Sequence, residues 1–210
     1  EKIGDLEILE SESQLYVTHE DFFFPKDVLT TALEAITNPE VLHLIQEDKK
    51  NKDMHLAIYK AIQGRNEAQG FSGVSLNKNF YSGTVAESLA PHLMQRRKMY
   101  INHMEVQKFG RPLEDTAAII VRSWAKEGAS FIETDVLADK TDTGWIWEAI
   151  QKYPEEIGCS IHSFTAGRQG RIDSQDVVVI EEWKRVHSLD FVGSPSAGGQ
   201  HISHQTTENE

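Results

Sequence analysis

Residues 177–192, Val-Val-Val-Ile-Glu-Glu-Trp-Lys-Arg-Val-His-Ser-Leu-Asp-Phe-Val, restrict the fold more than any other part of this chain. β-branched and aromatic residues recur through the run without Gly or Pro, and Gly193 and Pro195 end it. Such a segment reads as strand. Ordinary strands run to about ten residues, so this one must be a single bent strand or two in succession. Residues 157–164 are strand-like in the same way. Residues 99–103, 118–124 and 130–136 are shorter runs rich in Ile, Val, Phe and Tyr, bounded by Gly, Pro and Asp. The second half of the chain is therefore expected to be mostly sheet.

The first half has a different period. Residues 27–36 and 39–46 place apolar side chains at helical spacing, with Pro39 suited to a first turn, and residues 52–62 continue that pattern. Residues 64–83 carry four glycines among polar residues and read as a loop or loose hairpin. They divide a helical subregion, about 27–63, from a β-rich core, about 99–197. One more helix is expected at 86–97, with Pro91 near a turn or kink. Another is expected at 145–153, with Trp145, Ile146, Ala149, Ile150 and Tyr153 on one face and Pro154 closing it. Residues 198–210 are polar and glycine-containing and read as a mobile tail. No internal repeat is visible. At 210 residues and 39% hydrophobic, the chain supports one core, so the expectation is a single α+β domain over residues 1–197.

Charge and cysteine content narrow the function. A formal net charge of -12 disfavours a nucleic-acid backbone binder, which needs a basic surface to release counterions. Cys159 is the one cysteine, so no intramolecular disulfide is expected and a reducing compartment fits. No apolar run approaches the roughly 20 residues that span a bilayer, and residues at the start lack the apolar stretch of a signal peptide. The expected setting is soluble, with no membrane partner.

Three residues stand out for chemistry, in the order His, Ser, Asp. His103 ends an apolar strand before a polar, glycine-containing loop. Ser160 follows Gly158-Cys159, and strand alternation sets it on one face with His162, while Cys159 and Ile161 take the other. Asp190 lies amid Leu189, Phe191 and Val192, where a carboxylate is costly to bury without a partner. A serine hydroxyl is a poor nucleophile until an imidazole takes its proton, and the imidazole needs an acceptor on its other nitrogen. Ser160, His103 and Asp190 fit those three roles and point to a serine protease. Each residue alone also has a structural explanation, as a buried, hydrogen-bonded strand residue. Oxyanion donors are expected from backbone N–H groups near the serine or in a turn at Ala166-Gly167-Arg168.

Gly158-Cys159-Ser160 and the segment Leu189-Asp190-Phe191-Val192-Gly193-Ser194-Pro195-Ser196-Ala197 resemble the prohead maturation proteases of tailed bacteriophages, especially the T-even type. Tyr100-Ile101-Asn102-His103, followed by Gly110-Arg111-Pro112-Leu113-Glu114-Asp115, is similar to the family's histidine region. The resemblance covers residues 99–199. It implies the fold of the herpesvirus assemblin proteases, a small β-barrel surrounded by helices. It also implies His103 as general base, Ser160 as nucleophile and Asp190 as orienting acid, without a cofactor. His187 is the rival third member, because the herpesvirus branch uses a second histidine, and Ser163 is the alternative nucleophile. Where that branch places paired arginines for the oxyanion, this chain has Gly198-Gly199.

The implied setting is the interior of the prohead, in the cytoplasm of the host bacterium. There such an enzyme cuts scaffold and internal core proteins, the major capsid protein and itself, after glutamate. Arg168 and Arg171 are the expected substrate-binding cations, with Lys184 and Arg185 as further candidates. Glu210 is then expected to mark a self-processed end, and self-association is left open. Two other readings accompany this one. A metal-dependent hydrolase would use His162 with His187, or His201 with His204. A non-catalytic capsid or scaffold component would keep the fold for assembly alone.

Overall fold

The computed structural model describes residues 6–9, 12–17, 22–23, 53–103, 111 and 113–207. Among them eleven strands form: β1 (Glu7–Ile8), β2 (Gln14–Val17), β3 (Phe22–Phe23), β4 (Met54–Gln63), β5 (Asn79–Tyr81), β6 (Lys98–Tyr100), β7 (Thr116–Lys126), β8 (Ala129–Val136), β9 (Gly158–Ile172), β10 (Gln175–Val192) and β11 (Gln200–Thr207). Three α-helices accompany them: α1 (Gly83–Glu87), α2 (Ala90–Gln95) and α3 (Trp145–Lys152). The expected helices at 27–36 and 39–46 lie outside the described residues.

The strands make two sheets, a six-stranded one in the order β3-β2-β9-β10-β5 with β1 also on β9, and a five-stranded one in the order β11-β4-β8-β7-β6. Two tight turns set their frames. Asp173 and Ser174 both take positive φ, 49° and 66°, between the paired Ile172 and Gln175. Glu127 and Gly128 do the same, at 51° and 76°, between Lys126 and Ala129. Positive φ at both central residues is the type I′ geometry, whose twist matches that of the flanking strands. The β9–β10 pair accordingly continues for the full length of both strands.

β10 is one continuous strand, and it bends. Its pairing with β9 slips between Ile180 and Glu182, between Trp183 and Arg185, and between Val186 and Ser188. Each slip inserts one extra residue, and such bulges bend a strand and increase its twist. The third one has a consequence for chemistry. Past the extra His187, Ser188 stands opposite His162 and Asp190 opposite Ser160, so these four residues share one face of the ladder.

The core lies between the sheets. Tyr59, Ile62, Ile120 and Ile132 from one and Ile161, Leu189 and Phe191 from the other are each no more than 4% exposed. Such burial contributes about 1.5–3 kcal/mol per side chain. Tyr59 meets Phe191 edge-on across the gap, ring centroids 5.7 Å apart. The sheets also touch at two margins. Ile101, just after β6, bridges Phe191 of β10, and the Cys159 N–H donates to the Gly199 carbonyl at 3.4 Å. These are single contacts, not ladders. The expected barrel surrounded by helices is therefore corrected: the fold is mixed α+β and mostly sheet, the barrel is not closed, and helices are few among the described residues.

Four further expectations change. Residues 54–63 form β4, a strand between β11 and β8, in place of the end of the expected helical subregion. Leu56, Ala57, Ile58, Tyr59, Ala61 and Ile62 are apolar at nearly every position, so they fit both periods, and pairing on both sides selects the extended one. Residues 200–207 form β11 on the edge of β4 in place of a tail; an edge strand with one face in water keeps a polar composition. Helix α3 turns Ile146, Trp147 and Ile150 inward, while Trp145 and Tyr153 are more than half exposed. The 86–97 helix is split into α1 and α2, with Pro91 in the first turn of the second. None of the described helices is long and apolar enough to cross a membrane.

Gly198-Gly199 serves the crossing of β9 and β11. Gly198 takes φ 77°, and a Cβ on Gly199 would sit 1.7 Å from the Cys159 carbonyl oxygen. No rotamer relieves a clash with backbone. Gly199→Ala should therefore cost more than the ~1–3 kcal/mol of ordinary overpacking, read as a fall in the urea midpoint. An unchanged midpoint would mean that the two strands do not approach this closely.

Candidate functional site

The site begins where β6 leaves its own sheet. Ile101 bridges Phe191, and the Asn102 N–H donates to the Phe191 carbonyl at 2.8 Å. Asn102 takes φ 60°, a left-handed conformation that Asn tolerates better than most residues. The chain thus turns beside the end of β10 and delivers His103 to Asp190. His103 Nδ1 lies 2.8 Å from Asp190 Oδ2. With Nδ1–H donating to the carboxylate, the imidazole is held in the tautomer whose lone pair is on Nε2, the form a general base needs. The Asp190 side chain is fully buried.

Arg111 supports this turn from outside. Its guanidinium donates to the Asn102 carbonyl at 2.7 Å and to the Ile101 carbonyl at 3.2 Å, stacks 4.3 Å from the Tyr100 ring centroid, and brings Nη1 to 4.0 Å from Asp190 Oδ2. Its Nε lies 3.7 Å from Asp115. One planar cation therefore holds the two peptide units before His103 and supplies positive charge to the buried carboxylate. Its neighbour Tyr100 has its hydroxyl pushed up, first by burial and then by the Asp190 charge.

Ser160, half-buried, stands directly across the β9–β10 ladder from Asp190, a spacing of about 4.5–5.5 Å between Cα atoms. His162, two residues on along the same face, has its ring 5.9 Å from that of His103 and 5.0 Å from that of His187. His187 packs edge-on against Phe164 at 4.7 Å. Asp190, and not His187, is the group against the His103 ring. Ser163 is fully buried and pairs with Val186, whereas Ser160 retains access to solvent. Burial, and next the Asp190 charge, push the Cys159 thiol far up, so it is no rival nucleophile.

The expected substrate cations fall elsewhere. Arg168 Nε is 2.7 Å from Glu181 and Arg171 Nε 2.8 Å from Asp176. At ~3.3 Å per residue they lie roughly 26 and 36 Å from Ser160 along β9. Lys184 pairs with Glu182. Ala166-Gly167-Arg168 lies within β9 and forms no turn, which leaves the N–H groups beside Ser160 as the expected oxyanion donors.

A different set of basic residues lies around His187. Arg185 lies opposite Phe164 on the ladder, and burial, reinforced by Arg96, lowers its pKa. Burial lowers Arg96 as well, and burial followed by Arg96 lowers Lys98. His187 is pushed down to about 4 by burial, then by Arg185 and Arg96. The buried Arg185 Nε has no hydrogen-bond partner among the described residues.

Of the two metal-ligand pairs weighed from the sequence, His201 and His204 sit on β11, Nε2 to Nδ1 3.2 Å apart. The slip between His201 and Ser203 brings them to one side. The other pair, His162 with His187, has no acid in a ligand group with both among the described residues, but His162 joins His103 and Asp190 in a group whose donor atoms lie within 4.8 Å of one another. Sequence spacing hid that group, because it spans three strands.

Arg111→Met leaves two carbonyls without a donor and one buried carboxylate without its cation. It should lower stability by about 1–3 kcal/mol, read by urea unfolding; a loss below 0.5 kcal/mol, roughly the scale of an ordinary surface change, would deny the clamp. His187 gives a pH signature. The unfolded chain, with an ordinary value near 6.5, takes up the proton before the folded one does, so stability is full above about pH 6.5 and falls as the pH drops toward 4. The shift corresponds to about 3 kcal/mol, and His187→Gln should flatten that part of the profile.

No protein-family model matches this chain, and no curated protein matches it. Among solved structures, the chain is similar to the bacteriophage T4 capsid assembly protease, gp21, at 14% sequence identity and a TM-score of 0.47, over 69% of this chain and 100% of that one.

Proposed function

We propose that this chain is a serine endopeptidase that matures phage proheads, cutting scaffold proteins, the major capsid protein and itself. The observation that carries the reading is the His103 Nδ1–Asp190 Oδ2 pair at 2.8 Å, set across the ladder from Ser160. His103 Nε2 takes the Ser160 proton as Oγ attacks the peptide carbonyl. The imidazolium that forms is stabilised by Asp190, and it returns the proton to the leaving amine. Water then repeats the sequence on the acyl-enzyme. Arg111 acts through the His103 turn as a positioning residue and touches no reacting atom.

Cutting after glutamate is part of the proposal. Its support is the trio of basic side chains Arg185, Arg96 and Lys98, in which the Arg96 charge repels both others, beside a His187 ring that burial and the two arginines keep neutral. A substrate carboxylate relieves that repulsion, and arginine binds it with two parallel hydrogen bonds. Arg185 and Arg96 replace Arg168 and Arg171 in this role.

Incubating the protein with a glutamate-containing scaffold peptide, beside its Ser160→Ala variant, and reading the products by intact mass tests the assignment. The variant should lose about 10³-fold or more in rate, and replacing the glutamate before the cut by glutamine should slow the wild type. Equal cutting by the variant would remove Ser160 from the mechanism, and equal cutting of both peptides would remove the acidic preference.

A further inference from the structure

We propose that His103, His162 and Asp190 together form a site for a divalent transition metal of the zinc type, and that the bound metal holds the enzyme inactive. The regulatory half of this inference rests on the protease reading; the binding half does not.

The donors come from three different strands or their ends: His103 after β6, His162 on β9 and Asp190 on β10. One ligand atom from each lies within 4.8 Å of the other two. Asp190 is fully buried and His162 is 6% exposed, so both are held by strand backbone and packing. Zinc bound at ~2.0–2.1 Å in a tetrahedron needs donors about 3.3 Å apart, a contraction of ~1.5 Å at most. Two imidazole nitrogens and one carboxylate oxygen suit zinc and its first-row neighbours. They suit calcium and magnesium poorly, since those ions take six or more oxygens. The remaining coordination position is left to water.

One charge opposes the metal. Arg111 Nη1 stands 4.0 Å from Asp190 Oδ2 and competes for the same carboxylate, which favours micromolar over nanomolar affinity. Metal binding and catalysis exclude one another, because both draw on His103 and Asp190. Binding requires neutral imidazoles and an ionised carboxylate, releases any proton they carry, and involves no redox change.

The exposed His201–His204 pair is a rival metal site, so the test uses the His201→Gln/His204→Gln protein as its background. Zinc is titrated calorimetrically, cobalt is followed by its visible absorption, and peptide cutting is measured at the same free zinc concentrations. The expected result is one site of micromolar affinity. The cutting rate should fall in step with occupancy and return on chelation. Replacing His162 by Gln should weaken binding more than ~100-fold, beyond the 10–100-fold typical of losing only an outer-shell partner, with each protein compared to its own metal-free rate. Circular dichroism checks that the His162→Gln protein is folded. Absence of binding at millimolar zinc, or binding untouched by His162→Gln, overturns the site. Acceleration by zinc overturns the inhibitory role. Binding without any peptide cutting, with or without metal, would sink the protease reading and leave the metal site standing.

Discussion

A carboxylate enclosed by apolar strands is the constraint around which this molecule is arranged. Asp190 is fully buried, on the face of β10 opposite its core-facing neighbours Leu189 and Phe191, and an unpaired charge there would cost several kcal/mol. Its neighbours answer that cost in a fixed geometry: the His103 imidazole at 2.8 Å and the Arg111 guanidinium at 4.0 Å. Because Arg111 also ties down the peptide units of Ile101 and Asn102, the charge, its partner and the backbone that presents the partner form one unit. Loss of any member leaves the others unsatisfied, which is why such networks are all-or-none.

The bulges in β10 are what bring this unit to the serine. Without the slip at His187, strict alternation would change the face on which Ser188 and Asp190 emerge relative to the residues before it. With the slip, Asp190 and Ser160 are cross-strand partners, and His187 turns toward Phe164. The extra residue thus separates the carboxylate beside His103 from a histidine that packs on Phe164.

How much of this could be read beforehand depended on whether a feature was local. Asp190 announced a missing partner because it interrupts an apolar run, and the strands at 99–103, 118–124, 130–136 and 157–164 were legible from their bounded, β-branched composition. β4 was not, since apolar residues at nearly every position satisfy two periods at once. β11 was not, since an edge strand exposed on one side carries the composition of a tail. Arg111 lies within a motif quoted for its resemblance, yet nothing in the string Gly110-Arg111-Pro112 reveals that its side chain reaches backbone carbonyls. Arg168 and Arg171 show the converse: a cation count cannot tell a substrate ligand from a residue already paired across the ladder.

The bridge between Ile101 and Phe191 joins β6 of one sheet to β10 of the other at a single rung. His103 and Asp190 therefore belong to different sheets, whereas Ser160 and Asp190 belong to one hairpin. Within each sheet, ladders resist displacement cooperatively; across this seam little backbone bonding does. A slide of an ångström or two between the layers would part His103 from Asp190 while leaving nearly every strand pair intact. The His103–Asp190 pairing is thus a property of how the layers are seated, and it can be lost well before secondary structure is.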